Sequence, residues 1–172
     1  MTSIHLPPQN LQAEASVLGA MMLSESAIDP VAEIVTASMF YSDLNGILFS
    51  SMIAMRAAGT PVDVVTVAGH LERIGKYAEI GGEPALSRIM EAAPYTATAN
   101  AIEYASAVRD CWRRRLAQTA GQDLIHLAQD KSTPIDESLA TAEAVLHRAI
   151  SGSVGNGPKS IAELLPDVLV EL

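Results

Sequence analysis

The feature that most constrains this chain is a long stretch without helix breakers, from Ala97 to about Gln129. It contains no proline and a single glycine, Gly121. The pattern predicts one helix of roughly 50 Å at about 1.5 Å per residue, which is long for a small domain. Apolar residues recur along it at the spacings of three and four that one helical face requires: Ala101, Ala105, Val108, Trp112, Leu116, Ala120, Leu124 and Leu127.

A second helix is predicted after a short connection at residues 130–132. Thr133 offers a capping hydroxyl, Pro134 suits the first helical position, and Asp136 adds an acid to the first turn. A long helix, a short turn and a second helix together predict an antiparallel hairpin. The apolar stripe continues on the second helix as far as Ile150, through Leu139, Ala142, Leu146 and Ala149.

The region before the hairpin is predicted to contain several short helices. Asn10, Ser42 and Asp63 each precede an apolar periodic run and can cap a helix through a side-chain oxygen. Asp29-Pro30 is also predicted to start a helix, and the glycine pair Gly81-Gly82 to interrupt the chain. The first helix is predicted to bury one face, formed by Leu11, Ala15, Leu18 and Met22.

These patterns predict an all-α chain in four parts. A flexible N-terminal arm (1–9) precedes a globular helical head (10–95), which is followed by the long antiparallel helical hairpin (96–150). Residues 151–158 are rich in glycine and serine and are predicted to be a flexible tether. The tether leads to an amphipathic linker helix within 151–172, whose apolar residues are expected to dock on a partner: Ile161, Leu164, Leu165 and Val168.

Composition supports a helical protein and excludes some functions. Aromatic residues make up only 4% of the chain, and uncharged segments such as Leu44 to Met55 are too short for the roughly 20 residues of a membrane span. The net charge of −9 disfavours nucleic-acid binding, because phosphate contacts need Lys and Arg. The single cysteine, Cys111, cannot form an internal disulfide and suits a reducing, cytoplasmic location.

The sequence offers no convincing catalytic, cofactor-binding or metal-binding residues. Gly152 and Gly157 have the spacing of a phosphate-loop glycine pair, but Pro158 stands where that motif needs lysine. The four histidines, at positions 5, 70, 126 and 147, show no metal-ligand spacing. Four arginines, at positions 109, 113, 114 and 115, surround Trp112. A solvated charged face, a protein-binding surface and a nucleic-acid patch all remain open for this cluster.

The order of these motifs resembles the N-terminal region of the bacterial replicative DNA helicases, the DnaB family. The opening LPPQNLQAEASVLGAMML (6–23) is similar to the family's first helix, and GTPVDVVTVAGHLERIGK (59–76) resembles a second family block. Phe40-Tyr41 and Gly81-Gly82 also fall where the family has such pairs, and KSIAELLPDVLVEL (159–172) resembles the family's linker helix. One departure is SDLNG (42–46), where the family usually carries a basic or histidine-containing stretch.

The resemblance implies an assembly role. In the family the hairpins pair between subunits, and a trimer of dimers forms a collar on the hexameric motor. Carried onto this chain, the residues of the pairing surface would be Tyr104, Val108, Trp112, Arg113, Leu116, Leu139, Leu146 and Ile150. The linker helix, through Ile161, Leu164, Leu165 and Val168, would pack on the motor domain of the neighbouring subunit.

The resemblance also implies which partners the chain has. They would be other copies of itself, the C-terminal domain of primase and, in some members, a helicase loader. The ATPase domain with its Walker motifs is missing from these residues, so ATP, Mg²⁺ and DNA would be handled by that missing domain and this chain alone would be inactive. Two alternatives are a stand-alone adaptor that binds or competes with a helicase and, from another class, a small helical enzyme.

Overall fold

The protein is described here by a computed structural model, which describes residues 6–151 and, of these, the side chains of residues 6–147. No strand occurs within this range, which confirms the prediction of an all-α fold. Two short 3₁₀ turns, Glu25–Ala27 and Ala37–Met39, lie between the early helices. The α-helices are α1 (Leu11–Leu23), α2 (Ile28–Ala32), α3 (Asp43–Ala57), α4 (Val64–Arg73), α5 (Gly82–Ala92), α6 (Ala101–Gln129) and α7 (Ile135–Ser151).

Helix α1 is the central helix of the head. It packs against α3 and α5 and buries residues on every side, from Ala13 to Met22, with only Ala15 between them half-buried. The prediction of a single buried face was therefore wrong, and Leu11, expected inside, is exposed. A helix that is apolar all round belongs in the interior, because each side needs cover from water.

The α1–α5 crossing depends on Gly19. A Cβ atom built on this glycine would overlap the Cβ of Ala93, the C-cap residue that directly follows α5. It would also stand 3.4 Å from the carbonyl oxygen of Ile89. The two backbones therefore come too close for any side chain at this position. The hydrogen bond from Gln12 Nε2 to the carbonyl oxygen of Ala92, at 2.5 Å, joins the same two helices.

Glu14 attaches α1 to the start of α3. Its side chain is almost completely buried, and its carboxylate accepts hydrogen bonds from the backbone N–H of Tyr41 at 2.6 Å and from Asn45 Nδ2 at 2.8 Å. A longer bond comes from the backbone N–H of Ser42 at 3.4 Å. An anion in this place also suits the positive end of the α3 dipole. The buried carboxylate thus acts as a second cap that comes from another helix.

Three capping residues predicted in the region before the hairpin are confirmed. Asn10 accepts a hydrogen bond from Ala13 N, and Ser42 accepts one from Asn45 N. Asp63 accepts from the backbone N–H groups of Val65 and Thr66, and these bonds hold the pKa of Asp63 below its usual value.

The helix predicted to be capped by Asp29 and to start at Pro30 begins two residues earlier, because α2 starts at Ile28. The Asp29 carboxylate does not cap it and instead accepts two hydrogen bonds from Arg56, from Nη2 at 2.7 Å and from Nε at 3.2 Å. The Arg56 hydrogen bond lowers the pKa of Asp29. Glu25 adds a longer ion pair to Arg56 at 3.5 Å and accepts a hydrogen bond from the backbone N–H of Val62.

Helix α6 begins at Ala101, later than the expected Ala97, and ends at Gln129 as predicted. The chain divides into two compact units between Trp112 and Arg113, within this helix. The second unit therefore contains the rest of α6 and α7, joined by a turn at 130–134. The Asp130 carboxylate shapes this turn, because it accepts hydrogen bonds from the backbone N–H and the hydroxyl of Ser132 and from the hydroxyl of Thr133. The four-part division and the antiparallel pairing of the hairpin stay predictions.

Candidate functional site

Helix α7 exposes an apolar stripe in the single chain. Ile135, Leu139 and Leu146 are 68%, 61% and 45% exposed. Residues at these spacings share one side of a helix. We call these three residues the α7 stripe. Each leaves costly apolar surface in water, so the α7 stripe is the strongest candidate for a protein-binding surface in this unit.

The buried face of α7 differs from the predicted one. Ser138 and Val145, two turns apart, are only 5% and 7% exposed, whereas Leu139 and Leu146 face solvent. The apolar pattern placed Leu139 and Leu146 on the stripe that continues from α6. In the structure, the buried side of α7 is the adjacent one, which carries Ser138 and Val145. Exposure of Leu139 and Leu146 is what a surface for a second chain requires, and their role in pairing stays a prediction.

Two of the five α6 residues of the predicted pairing surface are buried in the single chain. Val108 and Trp112 are 1% and 4% exposed, so they do not form the exposed surface that was expected of them. Their burial follows from their place on the side of α6 that also buries Ala101 and Ala105. Trp112 Nε1 is buried without a hydrogen-bond partner among the residues that the structure describes. A side chain enclosed in this way stabilises the single chain.

The remaining predicted site residues fall into three groups. Tyr104 and Leu116 are half-buried, and Arg113 is exposed. Ile150 lies in α7, but its side chain is outside the described residues. Also outside them are all four residues predicted for the linker helix, namely Ile161, Leu164, Leu165 and Val168.

Charged side chains flank the α7 stripe. Asp136 and Glu143 are both exposed, lie two turns apart on α7, and stand three residues before Leu139 and Leu146. On α6, Arg113 and Arg114 are exposed in the same compact unit. None of these four residues has an ion-pair partner within residues 6–147. The second compact unit thus exposes apolar side chains together with charges of both signs.

Other kinds of site find no support in the described part of the chain. Across residues 6–151, no three side chains of His, Cys, Asp or Glu come together in a way that could hold a metal ion. Cys111 is a half-buried free thiol. Near the end of α6, burial raises the pKa of Asp123, while the charge of His126 opposes this shift. No helix in the described range is long and apolar enough to cross a membrane.

Sequence reasoning missed two residues that hold the head together. Glu14 was noted only as part of a matching motif, although a carboxylate amid an apolar helix signals a specific partner. Gly19 was likewise quoted in that motif without a role, and the sequence alone does not indicate which helix crosses there. Both residues lie in the first compact unit, which also contains the N-terminal part of α6, up to Trp112.

Comparison with known proteins agrees with this fold. The family model described as "DnaB-like helicase N terminal domain" matches residues 6–110. A replicative DNA helicase DnaB from Geobacillus stearothermophilus is 38% identical over 136 residues, covering 78% of this chain and 29% of that protein. A replicative DNA helicase DnaB from Mycobacterium leprae is 30% identical over 168 residues, covering 96% of this chain and 28% of that protein. The chain therefore spans less than a third of the length of these relatives.

A solved structure has the same fold over most of this chain. The crystal structure of the N-terminal domain of DnaB helicase from Mycobacterium tuberculosis superposes with a TM-score of 0.76 at 34% identity. The match covers 83% of this chain and 99% of the crystallised one. Together with the match to the family model over residues 6–110, this likeness confirms the resemblance drawn from the sequence: the chain belongs to the family of DnaB-like helicase N-terminal domains.

Proposed function

We propose that this chain is the collar and assembly module of a hexameric replicative DNA helicase and performs no catalysis itself. In this role it pairs with a second copy and so fixes the positions of subunits around the ring. The observation that carries the proposal is the α7 stripe, which its own compact unit leaves in contact with water. Pairing between copies would cover it, because removing apolar surface from water drives association.

The same module would dock other replication proteins. Primase, through its C-terminal domain, is the first proposed partner, and a helicase loader is the second. The linker helix would contact the motor domain of a neighbouring subunit. ATP, Mg²⁺ and DNA would be handled outside this chain, in the cytoplasm. Support comes from family membership and from the length of the DnaB relatives, of which this chain covers 29% or less.

The double substitution Leu139→Asp/Leu146→Asp is expected to weaken self-association at least tenfold. Each leucine contributes apolar burial on both copies, and the new carboxylates would have to be buried or leave a gap. Sedimentation velocity across a concentration series measures the dissociation constant. Circular dichroism should show unchanged helix content, because both side chains are exposed in the single chain.

A matched control tests whether the effect belongs to this surface. Val65 on α4 is 75% exposed, so Val65→Asp places an aspartate on another exposed apolar side chain, at one position instead of two. This variant should associate as the unaltered protein does. Equal dissociation constants for all three proteins would show that the α7 stripe takes no part in assembly.

A further inference from the structure

Some basic residues of this acidic chain form ion pairs within the described range, and others do not. Among those with printed contacts, Arg56 is paired with Asp29 and Glu25, and Lys76 with Glu79. Arg113 and Arg114 stand in contrast, since they are exposed and have no acidic partner within residues 6–147. Two unpaired guanidinium groups on one turn of a helix form a concentrated positive patch on a molecule of net charge −9.

Pairing through the α7 stripe would bring carboxylates of the two copies together, and the positive patch of Arg113 and Arg114 could neutralise their repulsion. Asp136 and Glu143 lie along one flank of the stripe and are exposed and without an ion-pair partner in the described range. If two copies paired α7 on α7 in an antiparallel, two-fold symmetric way, the same flank of both helices would lie on the same side. The four carboxylates would then face each other, and like charges brought together oppose association. Cations supplied from elsewhere in the partner would remove this repulsion.

We propose that Arg113 and Arg114 of one copy contact the acidic flank of α7, Asp136 and Glu143, in a second copy. The inference rests on the proposed function, because it needs the self-associated state, and it adds the contact that sets pairing partner and register. Charge complementarity selects the second copy as occupant. Each chain carries one basic and one acidic patch in the same compact unit, so a symmetric pair forms the contact twice. Arginine also suits this role, since its planar group binds carboxylates with two parallel hydrogen bonds.

The test uses two charge-reversed variants of the 172-residue chain. In one, Arg113→Glu/Arg114→Glu replaces the basic patch, and in the other, Asp136→Lys/Glu143→Lys replaces the acidic flank. Each variant alone should self-associate at least tenfold more weakly than the unaltered chain, because both copies of the contact become repulsive. A one-to-one mixture should recover association as a mixed pair, because both contacts then join opposite charges. Sedimentation velocity with one chain carrying a fluorophore measures all three cases.

The mixture distinguishes contact between chains from contact within one chain. If the arginines acted within their own chain, or served an acidic partner protein or a nucleic acid, each variant would keep its defect on mixing, and the proposal would be overturned. It would equally be overturned if the arginine reversal alone left the dissociation constant unchanged. A control with the same change in net charge, Arg73→Glu/Arg88→Glu, alters two exposed arginines of the head and should change association little.

A milder variant and a check of helix content complete the test. The milder pair Arg113→Gln/Arg114→Gln should weaken association and reduce its dependence on salt between 50 and 500 mM, because screening acts on the lost contacts. Helix content of every variant is checked first by circular dichroism, and the glutamine pair replaces Arg113→Glu/Arg114→Glu if that variant does not fold. If the unaltered chain is itself monomeric, the proposed function fails. If the unaltered chain associates and both arginine variants have the same dissociation constant as it does, only the proposed charge contact is refuted.

Discussion

Glu14→Ala is expected to lower the free energy of unfolding by about 4 kcal/mol, because it leaves three partly buried donors without their acceptor. The backbone N–H of Tyr41 and the side-chain amide of Asn45 lose their hydrogen bonds to the carboxylate, and the weaker bond from Ser42 N is lost with them. The start of α3 would loosen, and with it the contact between α1 and α3. Urea denaturation at fixed protein concentration, followed by circular dichroism, measures the change.

Glu14→Gln separates the charge from the shape of this side chain. All of the groups that contact Glu14 are donors, so the amide of glutamine would turn its own N–H₂ group toward at least one of them. We expect a loss of about 2 kcal/mol. Glu33→Ala, which removes an exposed glutamate next to α2, should stay within about 0.5 kcal/mol of the unaltered chain. Equal effects of Glu14→Ala and Glu33→Ala would contradict the capping role of Glu14.

Gly19→Ala is expected to destabilise the head by about 2 kcal/mol, although alanine is the better helix former. The added methyl would overlap the Cβ of Ala93, which is fixed to the backbone and cannot rotate away. Gly69→Ala is the matched comparison, since Gly69 lies inside α4 with open space around the added atom. It should stabilise the protein by about 0.5–1 kcal/mol.

The two alanine substitutions gain the same helix propensity, so their difference of about 3 kcal/mol reports the crossing alone. Adding Ala93→Gly to Gly19→Ala removes the overlapping methyl and should restore much of the loss, which a double-mutant cycle on urea unfolding would show as coupling. If Gly19→Ala and Gly69→Ala moved stability in the same direction by the same amount, α1 and α5 would not meet as closely as described.

The parts of the fold that the sequence predicted correctly depend on neighbouring residues. Asn10, Ser42 and Asp63 cap their helices within three residues of themselves, so local sequence contains all the chemistry involved. Asp29 shows the limit of this reasoning. Its carboxylate would suit a cap, but Arg56 lies close in the folded chain and takes it instead. A partner so distant in sequence leaves no local signal.

Burial was predicted less well than helix position, for a related reason. The periodic apolar residues of α7 show that one side avoids water, but they do not say whether the same chain or another covers it. Leu139 and Leu146 proved exposed, whereas Ser138 and Val145 are covered within the chain. Val108 and Trp112 of α6 were assigned to the same pairing surface as Leu139 and Leu146, but they are buried within the single chain. Periodicity identifies a face, and only the tertiary structure identifies what covers it.

The family relationship gives these details a functional setting. A helical head fixes the base of α6, and the second unit presents the α7 stripe with its flanking charges. Stability of the head and the proposed assembly through α7 thus depend on different residues. Substitutions at Glu14 and Gly19 should act on unfolding, and substitutions at Leu139 and Leu146 on association. This separation lets each class of variant serve as a control for the other.

Sedimentation equilibrium of the unaltered 172-residue chain tests the central claim most directly. Each chain weighs 18.1 kDa, so the claim predicts a mass at or above twice this value at tens of micromolar, falling toward 18.1 kDa on dilution. The same measurement on Leu139→Asp/Leu146→Asp should give the single-chain mass under conditions where the unaltered chain associates. A mass of 18.1 kDa for the unaltered chain at every concentration up to 100 µM or so would contradict the assembly role.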